Sequence, residues 1–207
     1  MSIDIVYYIN LDHRIDRKEQ ILKELNNMEF KNIQRTSAVY DKRDSWHGCA
    51  WSHYLTLKKF CASNYNNCII FEDDFYFHDY EYSKKMLSEF LNSVKKWDVV
   101  FLSCNYKYLK KKSKHETEYS YLRKILFNHS SWGKTTAGYM INKQFAQTLM
   151  ENFKECVEKK LVVDNNWNKL QHDKNYDWYV FHPKLGSQRV GFSDIERKVM
   201  DYSNKLK

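Results

Sequence analysis

Three consecutive carboxylates, Glu72-Asp73-Asp74, follow the apolar run Cys68-Ile69-Ile70-Phe71. Adjacent acids repel one another, so such a cluster is costly without a cation. Oxygen donors suit a hard divalent ion such as Mg²⁺ or Mn²⁺, which makes Asp73 and Asp74 candidate metal ligands. Four buried-type residues bounded by charge fit a central strand of a parallel sheet. The acids then stand at its C-terminal tip, where open α/β sheets bind ligands. The competing reading is a solvated acidic loop.

Other residues of chemical interest sit at similar junctions. Asn10, Leu11 and Asp12 end the apolar run over 3–9, and Arg14 and Arg17 follow. Asp164 ends a second apolar run, Leu161-Val162-Val163, beside Trp167. Ser52 and His53 lead into an apolar helical pattern, where their free N–H groups would face an anion. For His53 the alternative is a satisfied core histidine. Thr135, Thr136 and Ala137 are small and leave space beside a ligand, or simply pack in a strand. Trp132 and Trp167 present flat faces suited to a pyranose, although buried tryptophan is commonly core.

The elements that must position these groups alternate. A β-branched and aromatic strand over 3–9 precedes a helix over 13–28, with Asp12 as its cap. A second strand over 32–38 completes a strand–helix–strand unit of the nucleotide-binding α/β type. A helix reaches about residue 63, and the acidic strand follows. Met86, Leu87, Phe90, Leu91 and Val94 form one face of a helix over 80–94. Strands are expected over 97–102 and 135–141, and Asn142 caps a helix through Phe145, Leu149 and Phe153. Residues 179–183 read as an edge strand, because Pro183 cannot donate a ladder hydrogen bond. The polar tail over 186–207 is expected to wrap the surface. No linker interrupts the pattern, so residues 1–207 read as one domain.

Bulk composition limits the alternatives. The 207-residue chain is 43% hydrophobic, which suits a globular domain rather than a disordered one. No apolar run approaches ~18 residues, so no membrane span is expected. The N-terminus lacks the basic and apolar regions of a signal peptide, so the expected location is cytoplasmic. Five scattered cysteines without a CxxC pair read as reduced thiols rather than a disulfide framework or zinc site. The net charge of +8 is concentrated in the lysine-rich run over 107–114, read as a solvated loop that could attract anions. No motif interleaves basic and stacking residues, so nucleic acid is not an expected partner.

Several segments together resemble glycosyltransferase family 25, which includes lipopolysaccharide-type sugar transferases and collagen galactosyltransferases. They are Tyr8-Ile9-Asn10-Leu11-Asp12-His13-Arg14-Ile15-Asp16-Arg17, Gly48-Cys49-Ala50-Trp51-Ser52-His53 and Ile69-Ile70-Phe71-Glu72-Asp73-Asp74. Thr135-Thr136-Ala137-Gly138-Tyr139, Asp164 with Trp167, Gln188 and Ser193-Asp194-Ile195 complete the set in the family's order. The resemblance implies a GT-A fold, with a single Rossmann-like, mostly parallel sheet flanked by helices. It also implies a UDP-sugar donor, a divalent metal at the acidic motif and inversion at the anomeric carbon.

Roles follow from that resemblance. Asp74 would hold the metal directly, Asp73 would ligate or steer, and Glu72 would face the ribose or metal-bound water. Asn10, Leu11 and Asp12 would contact the nucleoside, and Ala38, Val39 and Tyr40 would line the base. Arg14 or Arg17 would pair with phosphate, and Gln188 and Ser193 would cover the diphosphate in a late loop. Thr135, Thr136, Ala137 and Trp167 would meet the acceptor. Asp164 is the candidate general base, with Asp194 and Asp177 as rivals, and His182 is a further candidate metal ligand. The expected reaction moves galactose or glucose from a UDP-sugar to a hydroxyl of a glycan or protein. Other readings are a catalytically weak domain of this fold that binds nucleotide-sugar or a protein, and a basic nucleic-acid-binding protein or metal nuclease.

Overall fold

The computed structural model describes residues 2–107, 118–125 and 132–201. Most of the lysine-rich run over 107–114 lies outside them, as do residues 202–207 and the side chain of Trp132.

The chain alternates as its sequence pattern requires. Strand β1 (Ile5–Asn10) leads to helix α1 (Ile15–Asn27) and strand β2 (Ile33–Ser37). Helix α2 (Ser45–Ala62) precedes the acidic strand β3 (Asn67–Glu72) and the short strand β4 (Phe75–Phe77). Helix α3 (Tyr80–Ser93), strands β5 (Val99–Lys107), β6 (Leu122–Lys124) and β7 (Trp132–Asn142), and helix α4 (Lys143–Lys159) follow. Two single-turn helices, Val163–Asn166 and Asn168–Gln171, come before β8 (Trp178–Phe181), β9 (Gly186–Gln188), β10 (Gly191–Ser193) and β11 (Lys198–Met200).

Seven strands form one sheet in the order β2-β1-β3-β7-β5-β8-β6. Strands β2, β1, β3, β5 and β8 run one way, and β7 and β6 oppose them. The sheet is buried on both faces, as parallel strands usually are. Ile5, Tyr7, Cys68 and Ile70 enter one core under α2 and α4. Val6, Tyr8, Ile69 and Phe71 enter the other under α1 and α3. The period of two in β1 and β3 thus serves two apolar layers. Lys143 ties α4 to the end of α2 by donating to the carbonyls of Phe60, Cys61 and Ser63 at 2.6–2.9 Å. That places a cation at the negative end of the α2 dipole.

Four expectations need correction. Asp12 does not cap α1: Arg14 holds the N-cap position without a side-chain cap bond. The Asp12 carboxylate instead accepts from Arg35 at 2.6 Å and from Ser37 at 2.8 Å, so a nearby cation and hydroxyl outcompete the helix end. Helix α2 starts at Ser45, capped by Asp44, so Ser52 and His53 lie within it and their N–H groups are not free. The apolar run before Asp164 enters a single helical turn. Strand β8 is interior, between β5 and β6; it ends at Phe181, before Pro183 reaches the ladder. The tail beyond Gly186 is more than a surface wrap: β9 pairs with β4, β10 with β11, and Ser187 and Ser193 are buried. Among the described residues, no helix is long and apolar enough to cross a membrane.

Candidate active site

The parallel strands β1, β2 and β3 end together, and a cleft opens at their C-terminal tips. Asn10, Leu11, Arg17, Ala38, Val39 and Tyr40 line it from the first two strands and α1. Ser52, His53, Glu72, Asp73 and Asp74 form further wall, and Gln188, Ser193 and Asp194 close it from the C-terminal segment. The sheet topology explains this convergence. Phe75 pairs with Gln188 across the β4–β9 ladder, which brings Gln188 beside Asp74. The Arg189 N–H donates to the Asp74 carbonyl at 2.7 Å and fixes the same junction.

The three acids have different environments. Glu72 turns toward α2 and β7: His53 Nε2 stands 3.2 Å from its Oε1, and the Thr136 hydroxyl donates to the same oxygen. Burial raises the Glu72 carboxyl, but His53 and Thr136 more than offset this and leave it below the ordinary range. Asp73 is held at both oxygens, by Asn10 Nδ2 at 2.8 Å and Arg17 Nη1 at 3.0 Å. Burial outweighs those contacts, and its carboxyl is raised.

Asp74 is the least satisfied. Gln188 Nε2 approaches its oxygens only at 3.4 and 3.5 Å, and Arg17 Nη1 lies 3.6 Å away. Burial, then the charge of Glu72, pushes its carboxyl to about 7, with Arg17 opposing. A carboxylate only 8% exposed, with long contacts and a negative neighbour, has lone pairs to spare for a cation. The donor set at Asp74 therefore fits a hard divalent ion, whereas Asp73 must first release Arg17 or Asn10.

Arg17 also donates to the Phe192 carbonyl at 2.6 Å, so one guanidinium joins α1, the acidic tip and β10. Arg14 does not line the cleft. It pairs with Asp16 at 2.8 Å and with Asp194. Asp12 braces the ends of β1 and β2 and is likewise outside the lining.

Asp164 sits behind the wall rather than in it. Its Oδ2 accepts from the Thr135 N–H at 3.3 Å, and the Thr135 hydroxyl donates to Gln188 Oε1 at 3.1 Å. A short chain of contacts thus runs Asp164–Thr135–Gln188–Asp74. Burial raises the Asp164 carboxyl, with the Thr135 N–H opposing. Thr135 has φ 77°, a strained conformation for a β-branched residue.

Several candidates lie elsewhere. Trp167 is 0% exposed; its ring packs on Phe101, Tyr139 and Trp178, and its Nε1 donates to the Gly133 carbonyl. It is core, with no face free for a sugar. Ala137 is also fully buried. His53 is 1% exposed with both ring nitrogens partnered, by Glu72 and by the Tyr139 hydroxyl at 3.1 Å, so it is the satisfied histidine. Asp177 precedes β8 at the opposite end of the sheet and pairs with Lys96 and Lys124. His182 is absent from the lining, and its backbone N–H donates to Tyr121.

Sequence reasoning missed Asp41, Ser45, Cys49 and Ile195 in the lining. It also missed the buried Glu24, which accepts from the Phe77 N–H at 3.0 Å, the Tyr80 hydroxyl at 3.1 Å and Arg189. A signal for Asp41 existed: its Oδ1 accepts from the N–H groups of Arg43 and Asp44, the ordinary habit of an aspartate just before a helix.

Comparison with known proteins bears on this site. Residues 43–167 match the family model for glycosyltransferase family 25 (LPS biosynthesis protein). Procollagen galactosyltransferase 1-A of Xenopus laevis is 27% identical over 195 residues, 79% of this chain and 30% of that protein. A glycosyltransferase 25 family member of Aedes aegypti is 23% identical over similar shares, 79% and 30%. The chain thus spans about 30% of the length of these curated relatives. Among solved structures, A197 from STIV aligns with a TM-score of 0.49 at 12% identity, covering 95% of this chain and 92% of that one. A glycosyltransferase involved in glycosylation of the major capsid of PBCV-1 aligns with a TM-score of 0.41 at 9% identity, covering 93% and 95%. The matched segment carries α2, the acidic tip of β3 and the Thr135 bend through to Asp164, and it covers more than half the sequence: this chain belongs to glycosyltransferase family 25.

Proposed function

We propose that the cleft binds a UDP-sugar and a divalent metal, and that the protein transfers a hexose, galactose or glucose, with inversion, to a hydroxyl of a glycan or protein. The observation that carries the reading is Asp74: a buried, underpaired carboxylate at the tip of a central strand, inside a cleft with Asn10, Val39 and Tyr40. Family membership supports sugar transfer, and the likeness to procollagen galactosyltransferases supports a galactose donor.

Asp74 would hold the metal directly, with Asp73 joining as it releases Arg17. A divalent ion bound there supplies positive charge to the departing diphosphate. The chain's own residues supply the rest. Arg17, freed from Asp73, has a fork suited to phosphate oxygens. Leu11, Ala38, Val39 and Tyr40 offer mixed apolar and backbone surface to the base and ribose. Glu72, fixed by His53 and Thr136, stays ionised and orients a hydroxyl by accepting from it. Asp164 takes the acceptor proton; its raised affinity for protons favours that role near neutral pH. Asp164 stands behind Thr135 and outside the cleft lining, so this role requires the acceptor hydroxyl to reach it from beyond Thr135.

One observation favours the reading as a domain that binds nucleotide-sugar without turnover: Arg17 already pairs with Asp73 at the acidic tip. Thermal denaturation and hydrolysis separate the two. UDP with Mn²⁺ should raise the melting temperature through linkage, while UDP with chelator should not. Equal shifts would remove the metal. A shift with Mn²⁺ but no turnover of any UDP-hexose would leave the binding reading.

A further inference from the structure

We propose that Cys49, His53 and Glu72 form a second cation site on the cleft wall, suited to a borderline, thiol-accepting divalent ion such as Zn²⁺ and distinct from the oxygen donors of Asp73 and Asp74. Each residue offers one ligand atom, and the three atoms lie within 4.8 Å of one another. Sulfur, imidazole nitrogen and one carboxylate oxygen are a donor set that zinc accepts and that Mg²⁺ or Mn²⁺ does not favour.

The local fold prepares this set. Cys49 and His53 are one helical turn apart on α2, so their side chains share a face. Glu72 ends β3 directly opposite, with Oε1 3.2 Å from His53 Nε2. His53 Nδ1 stands 3.1 Å from the hydroxyl of the fully buried Tyr139. That contact orients the ring and, with the proton on Nδ1, leaves Nε2 as the ligand nitrogen. Such an outer partner is what metal-binding histidines use. Thr136 holds Glu72 in the same way. All three residues line the cleft, so a fourth position opens toward bound ligand or water, as in zinc sites with three protein ligands.

Binding costs the Cys49 thiol its proton, which passes to solvent; it moves the imidazole proton from Nε2, where it faces Glu72, to Nδ1, where it is donated to the Tyr139 hydroxyl; and it replaces the His53–Glu72 contact with two bonds to the ion. Nothing in this requires turnover, so the site stands or falls separately from the proposed reaction. Its consequence is that thiophilic cations bind within the cleft at a place Mn²⁺ does not fill.

Titration of the purified, metal-free protein with Co²⁺ tests the proposal. The expected result is a thiolate-to-cobalt charge-transfer band that saturates at equimolar metal, disappears with equimolar Zn²⁺ and persists in excess Mn²⁺. Cys49→Ser should lose the band. A wild-type titration without the band overturns the site. So does an unchanged band in Cys49→Ser, because Cys61, Cys68, Cys104 or Cys156 would then be the ligand. Suppression by Mn²⁺ would overturn the separation from Asp74. Should Cys49→Ser not fold, alkylation of the folded wild-type protein decides: Zn²⁺ should protect Cys49 from labelling, mapped by mass spectrometry, and equal labelling with and without Zn²⁺ overturns the proposal.

Discussion

The Thr135 N–H donates to Asp164 Oδ2 at 3.3 Å from a left-handed backbone, φ 77°. The strain, on the order of 1–3 kcal/mol, is offset by two contacts at once, because the same residue's hydroxyl reaches Gln188. Asp164→Asn keeps an acceptor for the Thr135 N–H and removes the proposed base. Transfer should fall by about 10²–10⁴-fold, with UDP affinity and melting temperature little changed. Kinetics alongside calorimetric UDP titration check this; transfer near the wild-type rate would place the base elsewhere.

Asp74 should make the ligand-free protein less stable as pH rises. Its folded carboxyl titrates at about 7 against an ordinary 3.8, so the folded chain holds a proton that the unfolded chain has lost. Stability is then greatest below the unfolded value and declines as pH rises toward 7, by roughly 1.4 kcal/mol per pH unit in that window. Asp74→Asn should therefore raise the melting temperature of the metal-free protein at pH 8, by about 2–4 °C per kcal/mol recovered. At pH 4 the gain should vanish. Denaturation of both proteins at the two pH values measures it, and equal differences at both would contradict a raised Asp74.

The strands around this carboxylate were legible because burial on both faces leaves a simple mark: Cys68 to Phe71 are apolar without interruption, and charge ends the run. The place of the acidic tip at the mouth of the cleft followed from strand polarity alone. Asp12 was misread because capping propensity is local, whereas its partners, Arg35 and Ser37, arrive from β2. The start of α2 was hidden for a related reason. Its first turns face the cleft through Ser45 and Cys49 and expose Trp46, so they lack the apolar stripe that announces a helix. Gln188 lies on a three-residue strand, too short to show a period, and its ladder partner is Phe75 far up the chain. Residue type cannot separate a core tryptophan from a sugar platform, and Trp167 became core only through Phe101, Tyr139 and Trp178.

Arg17 and a metal should compete for one role. The guanidinium is the nearest cation to both Asp73 and Asp74. Removing it leaves buried carboxylates uncompensated, a loss of about 3–5 kcal/mol for a well-buried pair and less where water enters the cleft mouth. Arg17→Gln should be destabilised without metal, and Mn²⁺ should raise its melting temperature more than it raises that of wild type. Thermal shifts of both proteins across a Mn²⁺ series report this. A smaller Mn²⁺ effect in the variant would mean that Arg17 assists the ion rather than standing in for it.

Gly48 sets how closely α2 approaches the segment after β2. A Cβ there would sit 2.6 Å from the Val39 carbonyl oxygen and 3.2 Å from the Asp41 nitrogen, both backbone atoms that cannot swing aside. The same approach lets the Ser52 hydroxyl accept from the Val39 N–H at 2.8 Å while it donates to the Gly48 carbonyl at 2.7 Å. Gly48→Ala must push the two segments apart, at about 1–3 kcal/mol for an overpacked contact, and the displaced residues Val39 and Asp41 are cleft wall. Ser52→Ala removes the bridge without the collision, at about 1–3 kcal/mol for the buried partner left unpaired. Both variants should weaken UDP binding, Gly48→Ala more strongly, and calorimetric titration with UDP compares them. UDP affinity unchanged in Gly48→Ala, with its melting temperature lowered, would show that the 38–41 segment shapes the fold without touching the nucleotide.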